Sequence, residues 1–176
     1  MKFHPATQQT HTPTPLGTVW LAASPQGLAG LWFDGQRHLP SQLTGPQAWP
    51  RNDQHPVLVA AAQQIGPYLR GERTQFDLPL DLDGGTAFQQ AVWRALLGIA
   101  RGQTLSYGVL AQQIGRPNAV RAVGAAVGRN PLSVVVPCHR VLGQDGSLIG
   151  YAGGLARKSA LLQLEGVLAV PPAVAA

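Results

Sequence analysis

The sequence contains one cysteine in 176 residues. An internal disulfide is therefore excluded, and so is a zinc cage built from several thiolates. Charge is sparse, at 12% of residues. Acidic residues nearly vanish from the second half: two follow position 85, against six before it. No apolar run is long enough to cross a bilayer, and residues 1–9 are polar and contain His4 and Pro5, unlike a secretory leader. A cytoplasmic protein with no membrane partner is the expectation. With 45% hydrophobic residues the chain can bury a core, and its length suits one ordinary domain or two small ones.

The scarcity of acid leaves an uneven basic excess. Residues 1–85 hold five Lys/Arg and six Asp/Glu, a net charge of −1; residues 86–176 hold eight and two, a net charge of +6. This asymmetry suggests a nucleic-acid face on the second half. A basic surface that merely aids solubility is the plainer alternative.

Periodicity and turn residues predict the elements. Residues 14–33 read as a β-hairpin turning at Pro25-Gln26-Gly27. Residues 35–55 read as a loop. Residues 57–70 show helical spacing, with a kink expected at Gly66-Pro67. Residues 76–82 alternate like a strand. Asp83-Gly84-Gly85 breaks the pattern and divides an N-terminal domain, 1–83, from a C-terminal domain, 84–176. Thr86 and Gln89 form a capping-box pattern at the head of a helix that stops near Gly102. Ser106 caps a short helix ending at Gly115. Asn118 is the expected cap of a second helix, through Val127, and the pair reads as helix-turn-helix. Residues 132–136 suggest a buried strand, and 141–151, with Asp145-Gly146 at the turn, a hairpin wing. Residues 155–165 form a last helix closed by Gly166, followed by an apolar tail, 167–176, of no evident role.

Reactive groups are few after residue 86: Cys138, His139, Asp145 and Glu165. A thiol becomes nucleophilic when a histidine takes its proton or basic groups stabilise the thiolate. Pro137-Cys138-His139-Arg140 places both kinds of neighbour beside the sulfur. Regular β geometry would point Cys138 and His139 apart, so either Pro137 marks a turn or a water bridges the pair. Lys158, Leu161, Leu162 and Glu165 share one face of the last helix, where Glu165 could hold His139 in one tautomer. An exposed Glu at a helix end is the plain alternative.

Several stretches, in order, resemble the O6-alkylguanine-DNA alkyltransferase family. They are Thr86-x-Phe88-Gln89-x-x-Val92-Trp93, Gly102-x-Thr104-x-Ser106-Tyr107-Gly108, Arg121-Ala122-Val123-Gly124, Asn130-Pro131, Pro137-Cys138-His139-Arg140-Val141, Gly150-Tyr151-x-Gly153-Gly154, Lys158, Leu161-Leu162 and Glu165-Gly166. The resemblance implies an α/β (α+β) protein: a small ribonuclease-H-like N-terminal domain and a mainly helical winged helix-turn-helix C-terminal domain. It implies irreversible, stoichiometric DNA repair, with Cys138 accepting an alkyl group from O6-alkylguanine; O4-alkylthymine is a further candidate substrate. His139 would be the water-mediated base, Glu165 its orienting partner, Tyr107 a proton donor beside the flipped nucleotide, and Asn130 a brace for the reactive segment. Arg121 would fill the gap in the base stack, with Ala122, Gly124, Ala125 and Arg129 along the DNA face. Val141, Tyr151, Ala152, Gly153 and Lys158 would form or support the pocket wall. Double-stranded DNA would bind through the minor groove with weak sequence specificity. A monomer, no cofactor and no metal are expected; relatives with zinc-binding cysteines in the first domain have no counterpart here, and Ala152 stands where some relatives carry a polar residue.

Three other readings compete. A non-catalytic damage sensor would lack the acceptor, which Cys138 argues against. A winged-helix regulator needs base-reading side chains, and the Ala/Gly-rich second helix offers almost none. A small-molecule thiol hydrolase leaves the basic half without a role.

Overall fold

The computed structural model describes residues 1–169. The N-terminal half is built on an antiparallel sheet of β1 (Gln8–Thr12), β2 (Val19–Ser24) and β3 (Gly27–Phe33). The strands alternate faces as pleating requires. Val19, Leu21, Leu31 and Phe33 enter the main core, whereas Ala22 and Trp32 face a smaller cluster with Leu43 and Trp49. Helix α1 (Pro56–Leu69) covers the main face through Leu58, Ala61, Ile65 and Tyr68, spaced three or four apart. Pro56 suits the first helical position because no partner is needed for its missing N–H. The helix runs through Pro67 to Leu69.

The C-terminal half is mainly helical. Helix α2 (Ala87–Leu97) opens with the expected capping box: Thr86 Oγ1 accepts from Gln89 N–H at 3.3 Å, and Gln89 Oε1 accepts from Thr86 N–H at 2.9 Å. The two-residue strand β4 (Leu105–Ser106) leads into α3 (Tyr107–Gln113), where Ser106 Oγ accepts from Val109 N–H at 3.2 Å. Helix α4 (Val120–Gly128) follows, then the two-residue strand β5 (Val141–Leu142) and α5 (Leu155–Leu164). The fully buried Trp93 of α2 donates its indole N–H to Ala126 O of α4 at 2.9 Å, stitching two helices together. The halves join where Leu31 N–H donates to Pro131 O at 2.8 Å and Ser133 N–H to Leu31 O at 2.9 Å.

Several local expectations need correction. Strand β1 lies ahead of residue 14, in a stretch where the sequence predicts no element. Residues 76–82 are extended but form no strand, meeting the sheet at a single-residue bridge, Leu28 to Leu80, and where Ser24 Oγ donates to Asp81 Oδ2. Asn118 does not cap α4; Ala119 occupies that position with no side-chain bond. The wing is a loop. Val141–Leu142 pairs in parallel with Leu105–Ser106, and Asp145 Oδ1 closes a turn by accepting from Ser147 N–H at 3.0 Å. Residues 170–176 of the apolar tail lie outside the described residues. Among the described residues no helix is long and apolar enough to cross a membrane.

Candidate active site

The apolar run 132–136 is a succession of tight turns, not a strand. Val136 N–H donates to Leu132 O at 2.8 Å, and Val135 N–H donates to Ser133 O at 2.9 Å across Val134, whose φ is 72°. A β-branched residue at positive φ is strained, and Val134 is nearly inaccessible, so packing holds it there. Pro137 (φ −81°, ψ 62°) makes an inverse γ-turn, with Cys138 N–H donating to Val136 O at 2.8 Å. A single 3-10 turn, Cys138–Arg140, follows. Pro137 thus marks a turn, the first of the two alternatives left open by sequence.

Asn130 braces this segment. Its Oδ1 accepts from Leu132 N–H at 3.0 Å, which fixes the amide orientation. Its Nδ2 then faces Val136 O at 2.7 Å, Cys138 Sγ at 3.1 Å and Leu132 O at 3.3 Å. Two hydrogens serve three acceptors, so the sulfur competes with two carbonyls for a donor.

His139 and Glu165 are both buried, with Nε2 2.7 Å from Oε1. Glu165 also accepts from Tyr68 OH at 2.6 Å and from Arg140 through Nε at 2.8 Å and Nη2 at 3.0 Å. These donors hold its carboxyl well below the usual range against the opposing effect of burial, so it is ionised and can only accept. His139 must therefore carry its proton on Nε2 and leave a lone pair on Nδ1. Nδ1 is buried and meets no protein donor or acceptor. Burial lowers the His139 pKa, so the ring is a neutral base at pH 7.

Burial pushes the Cys138 thiol up to about 11, despite the Asn130 hydrogen bond and the nearby positive charge of Lys158. At pH 7 the sulfur is therefore held as the thiol. Its proton must therefore leave during the reaction. Arg140, read from sequence as a neighbour of the sulfur, points elsewhere: its guanidinium engages Glu165, Tyr68 OH at 3.1 Å and Ile99 O at 2.5 Å. Lys158 is the cation that acts on the sulfur. It is lowered to about 8 by burial, and its Nζ donates to Val141 O, Ile149 O and Gly150 O at 2.6, 2.7 and 3.3 Å, tying the loop after β5 to α5.

Cys138 floors a cavity of about 220 Å³ whose walls include Tyr107, Gly124, Ala125, Arg129, Tyr151 and Ala152. Tyr107 OH donates to Ile149 O at 3.3 Å across it, and burial raises the phenol pKa. Burial also raises Tyr151 well above its usual value, and its OH is buried without a partner in hydrogen-bonding geometry. Gly153 is required beside it, since a Cβ there would lie 2.7 Å from the Tyr151 ring and 3.2 Å from Phe33. Gly124 packs beneath Tyr107, where a Cβ would make only ordinary contact at 3.7 Å. Val141 is fully buried behind the wall. Arg121, Ala122, Ala125 and Arg129 are exposed on α4 and its C-terminal end, but Arg121 and Ala122 do not line the cavity.

Sequence reasoning missed Tyr68, Arg37 and His38. Tyr68 lies 97 residues from Glu165, and no local signal connects them. Tyr68→Phe keeps the ring stacked on Phe76 at 4.6 Å and removes one donor to a buried carboxylate. It is expected to lower stability by about 1.5–3 kcal/mol in denaturant unfolding. Among the described residues no cluster of three His, Cys, Asp or Glu side chains could hold a metal.

Comparison with known proteins matches this arrangement to a family in both halves. Residues 9–82 match the 6-O-methylguanine DNA methyltransferase ribonuclease-like domain, and residues 87–167 match the DNA binding domain of the same proteins. A methylated-DNA–protein-cysteine methyltransferase of Mycolicibacterium paratuberculosis is 49% identical over 152 residues, covering 86% of this chain and 88% of that one. The Haemophilus influenzae protein of that name is 41% identical, over 89% and 84%. Among solved structures, Mycobacterium tuberculosis OGT in complex with DNA has a TM-score of 0.79 at 44% identity, covering 90% of this chain and 92% of that one. The Pyrococcus kodakaraensis O6-methylguanine-DNA methyltransferase has a TM-score of 0.63 at 26% identity, over 92% and 99%. With both halves matched in order and relatives near half identity over most of its length, the chain belongs to the 6-O-methylguanine DNA methyltransferase family.

Proposed function

We propose that this protein repairs DNA by moving an alkyl group from the O6 atom of guanine to Cys138 Sγ. The observation that carries the reading is the buried His139–Glu165 pair next in sequence to Cys138, which lines a cavity beside the exposed face of α4. The sulfur attacks the alkyl carbon in line. The S–C bond forms as the C–O6 bond breaks, and guanine leaves with the electron pair. The thiol proton passes to His139 Nδ1 through one intervening water, and Glu165 stabilises the imidazolium that results. Tyr107 donates a proton to the departing guanine ring. Asn130 steadies the turn that holds Sγ, and Tyr151, Ala152 and Gly153 shape the wall.

The target atom is buried in a duplex, so the nucleotide must flip out, at a cost of a few kcal/mol. Arg121 entering the stack offsets part of that cost. The small side chains of α4 fit a minor groove, and a surface with so few base-reading groups binds with weak sequence specificity. The thioether product is stable and the chain holds no second cysteine, so each molecule acts once.

The test is intact-protein mass spectrometry after mixing with duplex carrying one O6-methylguanine. The expected result is a gain of one methyl group that peptide mapping places on Cys138. Tight, damage-selective binding without mass gain would overturn the transferase reading in favour of a damage sensor.

A further inference from the structure

Two basic residues of the N-terminal half line the cavity that holds Cys138. They are Arg37 and His38, on the loop following β3. They meet Arg129, at the C-terminal end of α4, across the same opening. All three are exposed. Among the described residues no ion pair engages either arginine; the one side-chain bond is a long contact from Arg129 Nη1 to Ala125 O at 3.5 Å.

The loop is held against the C-terminal half at three points. Buried Gln36 accepts through Oε1 from Phe33 N–H at 2.9 Å and from Ser133 Oγ at 3.2 Å. Arg37 N–H donates to Ala152 O at 3.0 Å, on the cavity wall itself. Arg157 Nη2 donates to Asp34 O at 3.4 Å. His38 has a φ of 62°, a conformation that costs a residue other than glycine about 1 kcal/mol or more and persists where surroundings enforce it. This backbone is thus fixed beside the cavity mouth.

We infer that Arg37 and His38, with Arg129 opposite, form a basic rim that grips DNA phosphates on either side of the nucleotide entering the Cys138 cavity. This rests on the reading above and extends it, because it makes the N-terminal half part of the DNA surface. Uncompensated guanidinium groups around an opening are suited to phosphodiester oxygens, which they bind by paired hydrogen bonds. The rim holds the strand in register whatever its sequence.

Each phosphate contact removed reduces the slope of log affinity against log salt by about 0.9. Binding of full-length protein to a fluorescent duplex should be titrated across salt concentrations for the wild type, Arg37→Ala, the Arg37→Ala/Arg129→Ala pair and Arg73→Ala. Arg37→Ala is expected to flatten the slope by about 0.9 and the pair by about 1.8, with Arg73→Ala unchanged. A slope for Arg37→Ala equal to that of the wild type overturns the inference, even where the wild type transfers methyl normally. A wild type that transfers no methyl group fails the earlier reading instead.

Discussion

Cys138→Ala is expected to take up no methyl group from O6-methylguanine DNA while still binding the damaged duplex. The chain holds no other cysteine to substitute for it. Binding survives because the exposed face of α4 and the rim residues do not involve the sulfur. Stability changes by about 1 kcal/mol or less, since Asn130 Nδ2 keeps Val136 O and Leu132 O when Sγ is lost. Cys138→Ser is expected to be equally inert, although its hydroxyl can replace the contact with Asn130; an alcohol is a far weaker nucleophile than a thiol under the same base. Mass spectrometry and a binding titration on one preparation separate the two properties. Mass gain in either variant would show that the alkyl group goes elsewhere.

Glu165→Gln should have the largest effect on stability and a large one on rate. Among the described residues the carboxylate is the sole counter-charge for Arg140, and both are buried. Gln removes that charge and sets a donor amide against guanidinium, phenol and imidazole donors. Breaking a buried pair from one side costs about 3–5 kcal/mol. At this size that corresponds to a fall in Tm of roughly 6–20 °C. His139 also loses the acceptor that fixes its tautomer, and transfer should slow by at least about a hundredfold. The pH dependence has a definite sign. The Glu165 carboxyl is depressed in the folded state, so its contribution is fully present above the unfolded value, about 4.3, and is lost as pH falls toward the folded one. The stability gap between wild type and Glu165→Gln should therefore close on acidification below pH 4. A gap that is constant with pH would mean that the ionised carboxylate is not what stabilises the fold.

Local signals were the ones the sequence displayed most openly. The Thr86–Gln89 box, the Ser106 cap and the helical periodicity of α2 and α5 act over a few residues, and each appears in the structure. Strand β1, with the sequence QQTHT, has no apolar alternation of its own and exists because β2 offers an edge, a non-local cause. Residues 132–136 carry the composition of a strand, but prolines at 131 and 137 bound the run and its carbonyls are consumed by tight turns. Elimination and helix spacing raised the pairing of His139 with Glu165 as one alternative beside an exposed Glu165, and the structure has the two side chains buried 2.7 Å apart. The destination of Arg140 had no such signal, because a side chain next to the reactive residue in sequence reaches away from it in space. Tyr68 and Arg37 were invisible for a related reason: their significance lies in contacts between the two halves, which no periodicity within either half encodes.

The raised pKa of the Cys138 thiol, together with its 5% exposure, also bears on how the protein survives until use. A thiolate is what peroxides and diffusible alkylating agents consume, and such losses follow thiolate character and access. A reagent that acts once has no second turnover in which to recover from a wrong partner. Holding sulfur as a buried thiol gives it a long shelf life in the same chemical environment that damages the DNA. On the proposed mechanism, proton removal by His139 matters only when an alkyl carbon already sits against the sulfur, and chemical selectivity then comes from withholding the nucleophile and not from making it stronger.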